Sequence, residues 1–213
     1  MTTHTGTVII TDAPTAAQFK VINDATTGTI TLVDATGALT GTASDVVDAL
    51  TGITTYAGTI TVTDAATIAQ LTTIDGIASG TLFYSSVTDT ASNLVTNTGG
   101  YVKEDKIVTI DNGSTATLAQ LVTINAATSG AITLGTNTNA ANYSGTVSDL
   151  AAAFAGITSH RGTLTAIGAT TVGGLAGTAS EVVDALTGIT TYAGTIIVSD
   201  AATIAQLITI DAI

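Results

Sequence analysis

Along most of the chain, apolar residues alternate with threonine over short runs that open on a glycine, after which the apolar spacing lengthens to three or four positions. In Gly58–Thr63, Ile60 and Val62 alternate with Thr59, Thr61 and Thr63, the period of a half-buried strand. Ile68, Leu71 and Ile74 then fall on one side of a helix,. Strand, turn and short helix recur from starts at Gly6, Gly28, Gly58, Gly80, Lys106, Gly130, Gly162 and Gly194. Glycine at these starts reads as the left-handed residue that closes a helix before a strand.

Two kinds of unit alternate, one of about 22 residues and one of about 30. In the shorter kind, Asp12, Asp64, Asn112 and Asp200 are expected to N-cap the helix,, and Pro14 fits a first helical turn. In the longer kind, the helix opens on a capping box, Thr42-x-x-Asp45, Thr146-x-x-Asp149 or Thr178-x-x-Glu181,, and Val46, Leu50 and Ile53 form its apolar face. Gly80–Asp105 lacks the Leu-Thr-Gly-Thr-Ala insertion of the longer unit. It carries the one charged cluster, Lys103-Glu104-Asp105-Lys106, expected as a solvated loop. Between 130 and 193 two registers remain open, because Thr171–Leu175 also aligns with Thr67–Leu71.

Gly41–Ile77 returns as Gly177–Ile213 with five differences: Asp45 to Glu181, Thr61 to Ile197, Thr63 to Ser199, Thr72 to Ile208 and Gly76 to Ala212. Such self-similarity marks a repeat array, in which each unit buries its apolar side against the next. Strand, helix and strand in succession imply parallel strands joined by right-handed crossovers. The predicted fold is therefore a right-handed α/β solenoid of stacked strand-helix repeats, forming a single elongated domain over 1–213. Met1–Thr7 aligns with Ile53–Thr59 and Ile213 with Ile77. The expectation is a piece of a longer array, with any secretion signal or anchor lying outside it.

Composition narrows the function classes. Hydrophobic residues make up 45% and charged residues 9%, enough apolar surface for a continuous core rather than disorder. No apolar run approaches the roughly 18 residues of a membrane span. The formal net charge of -12 repels phosphates and anionic membranes, so neither nucleic-acid binding nor membrane insertion is expected. Without cysteine there is no disulfide framework and no thiolate metal site.

Several residue sets invite a chemical role. His4 and His160 fall in the column of Tyr56 and Tyr192 and read as interchangeable half-buried rings. Ser159 beside His160 lacks an orienting partner for nucleophilic catalysis, and no catalytic site is expected. Asp12, Asp64 and Asp200 with Asp34 would offer carboxylates to calcium, but helix capping already explains them and no calcium-loop motif occurs, so no cofactor or metal site is assigned. Gln18, Gln70, Gln120 and Gln206 recur one residue before the central apolar position, as a ladder or to satisfy turn backbone. The Thr-x-Thr strands Thr29-Thr31, Thr59-Thr61-Thr63 and Thr163-Thr165, with Thr7 and Thr133, resemble an ice-binding face, interrupted by Ile9, Phe83 and Ile197. Asn112-Gly113-Ser114 and Asn142-Tyr143-Ser144 fit a glycosylation sequon,.

The phrases GTASDVVDALTGITTYAGT, DAATIAQLTTIDG and SVTDTASNLVTN resemble the tandem repeats of very large secreted or cell-surface proteins of bacteria, including cyanobacteria. That resemblance implies a non-enzymatic scaffold, adhesin stalk, surface layer or filament in an extracellular or cell-surface setting, whose partners are neighbouring repeats or copies of itself. A module binding carbohydrate, ice or a cell surface is the alternative.

Overall fold

The structure is a computed structural model that describes residues 3–166, 175–192 and 195–213. The strand start expected at Gly194 and residues 171–174 of the two-register stretch lie outside the described residues. The fold is mixed α/β. Among the described residues nine helices alternate with strands that pair in parallel within small sheets.

The chain divides into two compact bodies. The first contains β1 (Val8–Ile10), α1 (Ala16–Asp24), β2 (Ile30–Leu32), β3 (Leu39–Gly41), α2 (Ala43–Ala49), β4 (Ile60–Val62), α3 (Ile68–Ile77), β5 (Leu82–Phe83) and β6 (Ser86–Asp89). The residues of α4 (Ala91–Thr96) and β7 (Ile107–Ile110) are shared between the bodies. The second contains α5 (Leu118–Ala127), β8 (Ile132–Thr133), α6 (Thr136–Ala140), β9 (Tyr143–Gly145), α7 (Val147–Phe154), β10 (Leu164–Ala166), β11 (Leu175–Gly177), α8 (Ala179–Leu186), β12 (Thr191–Tyr192), β13 (Ile196–Val198) and α9 (Ile204–Asp211).

Strands pair across about one repeat of sequence. In the first body Val8 lies opposite Ile30, Leu39 opposite Ile60 and Ile60 opposite Leu82. In the second, Tyr143 lies opposite Leu164 and Leu175 opposite Ile196. The longer unit differs from its sequence reading. Its insertion is a second strand, so β2 pairs back to β1 while β3 pairs forward to β4. The third longer unit is similar, since β10 pairs back to β9, and on its other edge to β12, while β11 pairs forward to β13. Leu39 is buried and Thr40 exposed, so the inserted segment has the alternation of a strand.

Local expectations are corrected too: Pro14 precedes the Thr15 N-cap of α1 and does not lie in the first helical turn. The shorter units' helices are N-capped by Thr15, Thr67, Thr117 and Thr203, not by Asp12, Asp64, Asn112 or Asp200. Each threonine hydroxyl accepts from the backbone N–H of the glutamine three residues on, and that glutamine's side chain accepts from the threonine's own N–H. Gln18, Gln70, Gln120 and Gln206 are therefore the second halves of capping boxes, which satisfies backbone as one of their two expected roles.

The glycines that open strands are required for a different reason. Among the described residues the left-handed glycines are Gly52, Gly99, Gly100 and Gly188, none of them a strand start. A Cβ on Gly28 would lie 1.9 Å from the Gly6 carbonyl oxygen, and one on Gly58 would lie 1.8 Å from that of Gly37. Adjacent units touch backbone to backbone there, which only glycine permits.

Most of the predicted helix faces form the cores. Ile68, Leu71 and Ile74 are buried, as are Val46 and Leu50, while Ile53 is half-buried beyond the end of α2; Phe19, Leu39 and Ile60 are also buried in the first body. In the second body Leu121, Ile124, Leu150, Val182 and Leu186 play that part. Each such side chain stabilises by about 1.5–3 kcal/mol relative to exposure. Lys103, Glu104 and Asp105 are exposed, as a solvated loop requires. Among the described residues no helix is long and apolar enough to cross a membrane.

Candidate functional site

Two of the aspartates expected as N-caps, Asp64 and Asp200, do cap helices, but those of the preceding unit. An Asp64 oxygen accepts from the Ala43 N–H of α2 at 2.7 Å, and an Asp200 oxygen accepts from the Ala179 N–H of α8 at 2.6 Å. Asp89, not singled out in the sequence, accepts from the Ile68 N–H of α3 at 3.0 Å. In each pair donor and acceptor are 21 residues apart. All three amides are the first of their helices, where no intrahelical partner exists and the positive end of the helix dipole favours a carboxylate. Ser114 serves the Ala91 N–H of α4 in the same way at 3.0 Å.

A second set works in the opposite direction. Asn23, near the end of α1, donates from Nδ2 to the carbonyls of Asp48 and Thr51 at 2.7 and 3.0 Å, close to the C-terminal end of α2. Asn125 of α5 donates to the Ala152 carbonyl of α7 at 2.6 Å. Lys20 reinforces the first seam, 2.7 Å from Asp48 and 3.3 Å from Asp24. Its pKa is raised, chiefly by the hydrogen bond to Asp48. Helix α2 thus receives an acidic cap from the unit after it and an amide cap from the unit before it. The asparagines escaped the sequence reading. Their one signal is a column eight residues after the capping threonine, filled by Asn23, Asp75, Asn125 and Asp211.

The sequon asparagines join the same seams. Asn112 accepts from the Thr136 N–H at 3.1 Å and Asn142 from the Thr163 N–H at 2.8 Å. Asp34 turns back on its own loop, accepting from the Thr36 N–H at 2.8 Å and from the Thr36 hydroxyl. Those two bonds hold its carboxyl below the usual range, the hydroxyl contributing most. Asp34 and the capping aspartates therefore serve separate places. Among the described residues no three histidine, aspartate or glutamate side chains gather where a metal would need them.

His160 occupies the tyrosine column. Tyr56 donates to the Gly37 carbonyl at 2.8 Å, and the His160 Nε2 stands 2.9 Å from the Ala141 carbonyl, each reaching 19 residues back along the chain. The imidazole packs 5.0 Å from the Phe154 ring and 5.5 Å from that of Tyr143. Desolvation lowers its pKa, opposed by the bond to Ala141. The hydroxyl of the neighbouring Ser159 is met by the Asn139 amide at 3.4 Å. His4 departs from the expectation of a half-buried ring, for it is exposed.

Comparison with known family models, curated proteins and solved structures finds no match.

Two kinds of exposed surface stand out among the described residues. The outward strand faces carry exposed Thr7, Thr29, Thr31, Thr59 and Thr63, broken by Ile9 at 63% and Phe83 at 54% exposure. The ladder sets Ile9 opposite Thr31 and Phe83 opposite Thr61. The other surface is apolar. The side of α9 exposes Ile204, Leu207 and Ile208, forming a groove with Tyr192, Ile196 and Ile213.

Proposed function

We propose that this chain is a structural repeat scaffold of an extracellular or cell-surface protein, of the adhesin-stalk, surface-layer or filament kind, that associates end to end. The finer fold reading belongs to the same proposal, namely a right-handed α/β solenoid whose units each lean on the next. Its support is the use made of the recurring polar residues. Asp64, Asp89 and Asp200 each cap the preceding unit's helix, so the side chains that could have been spent on a ligand instead hold neighbouring units together. No enzymatic activity is proposed.

Antibody labelling of intact and lysed source cells tests the setting, with labelling of intact cells expected; signal only after lysis overturns it. Deleting Gly58–Ser79 tests the stacking. A solenoid loses one unit and still folds cooperatively with β5 brought to β3, whereas an unfolded product refutes unit-by-unit stacking.

A second reading draws on the exposed strand threonines, as a face for carbohydrate, a cell surface or ice. Glycan capture and thermal hysteresis test it, and the absence of both at millimolar protein ends it.

A further inference from the structure

We propose that two copies of this chain join head to tail, with the β1 and α1 end of one copy covering the β13 and α9 end of the other. The inference builds on the end-to-end association of the scaffold reading and names its contact.

The chain contains its own control. Helix α3 and helix α9 share nearly the same sequence, yet Ile68 is 6% exposed and its twin Ile204 is 79%, while Leu71 is 0% exposed and its twin Leu207 is 48%. The strands beside them differ likewise. β4 is paired along both edges, whereas β13 ends its sheet, and at the other end of the sequence β1 ends a sheet too. Open strand edges beside exposed apolar side chains are surfaces that another strand and helix complete.

What completes the α3 side is on view. A strand opening Gly80-Thr81-Leu82-Phe83 pairs with β4 in parallel, Ile60 opposite Leu82 and Thr61 opposite Phe83. A second copy offers Gly6-Thr7-Val8-Ile9, the same pattern of residues, on the open edge of β1. The equivalent register sets Ile196 opposite Val8 and Ile197 opposite Ile9. Ile197 and Ile9, 50% and 63% exposed, would then be neighbours across the new pair. Val21 of α1, 67% exposed, lies on the groove side of the arriving unit, which Pro14 and Ala17 also line.

The twins' differences point the same way. Two of the five replace threonine by isoleucine, at Ile197 and Ile208, and both isoleucines are half exposed or more. Both replacements make the β13 and α9 side more apolar than its twin. The two surfaces are different, so the contact is heterologous and open-ended. With a net charge of -12 on each copy, added salt screens repulsion and strengthens association.

Sedimentation of the full chain over a concentration series tests this with Val21→Glu and Ile208→Glu. Both positions are exposed, and unchanged melting will verify that the variants fold. Each variant alone should lose self-association by at least about tenfold, because a carboxylate without a partner is costly in an apolar contact. An equimolar mixture should restore association but stop at the dimer. Phe83→Glu, the same charge change on the outward strand face, should behave as the unsubstituted chain. If Val21→Glu dimerises normally while Ile208→Glu does not, the contact is tail to tail and the proposal fails. Undiminished association of both variants refutes this contact but leaves end-to-end association standing, whereas a strictly monomeric parent chain refutes both.

Discussion

The seam between Asp64 and Ala43 can be taken apart with a proline. Asp64→Ala removes an acceptor from the first amide of α2, a loss of about 1 kcal/mol by the usual worth of a helix cap. Ala43→Pro removes the donor. Proline suits the first helical position, and Thr42, with ψ 157°, already has the extended conformation that a residue before proline requires. The proline ring, however, would put its Cδ where the hydrogen now points, against an oxygen only 2.7 Å from the nitrogen. Ala43→Pro alone should therefore destabilise by about 1–3 kcal/mol, the range of an overpacked contact. In that background Asp64→Ala should stabilise, reversing its sign. Urea unfolding of the four proteins gives the coupling energy, and amide exchange at Ala43 in the parent and in Asp64→Ala reports the local bond. Equal effects of Asp64→Ala in both backgrounds would refute the cross-unit cap.

Other consequences follow from the same geometry. Leu71→Ala should cost about 2–5 kcal/mol as a buried cavity, while its twin Leu207→Ala should change monomer stability by about 0.5 kcal/mol or less, both read by denaturant midpoints at low protein concentration. Gly58→Ala should disrupt the seam at Gly37, where a Cβ has 1.8 Å of room, and lower the melting temperature far more than Gly76→Ala, whose Cβ meets nothing within 4 Å. His160 has a pKa below its ordinary value of 6.5, so the fold favours the neutral ring. Its contribution is present above that ordinary value and is lost as pH falls through the lowered one. An NMR titration should place the midpoint below 6.5, and the acid loss of stability should shrink in His160→Phe.

Much of the local architecture was legible because it depends on residues within one turn of each other. Alternation of Ile60 and Val62 with threonine, the Ile68, Leu71 and Ile74 stripe, and the box of Thr178 with Glu181 all operate over two to four positions. Even there a methylene matters. The Glu181 carboxylate reaches the Thr178 N–H at 2.8 Å, whereas the shorter Asp45 leaves Thr42 with only the forward half of the box.

What the sequence by itself determined was the shorter unit: its length, its strand and helix, and the side of each that is apolar. Only the tertiary structure decided what each unit does to its neighbour. Asp64 caps another unit's helix, Gly58 admits another unit's carbonyl, and β3 turns forward while β2 turns back, because these outcomes depend on the register between segments some twenty residues apart, which no local period encodes. The twins make the point most directly. Ile68 and Ile204 stand in nearly the same sequence, and one is buried while the other is open to water, since burial belongs to the surface that arrives from outside the unit.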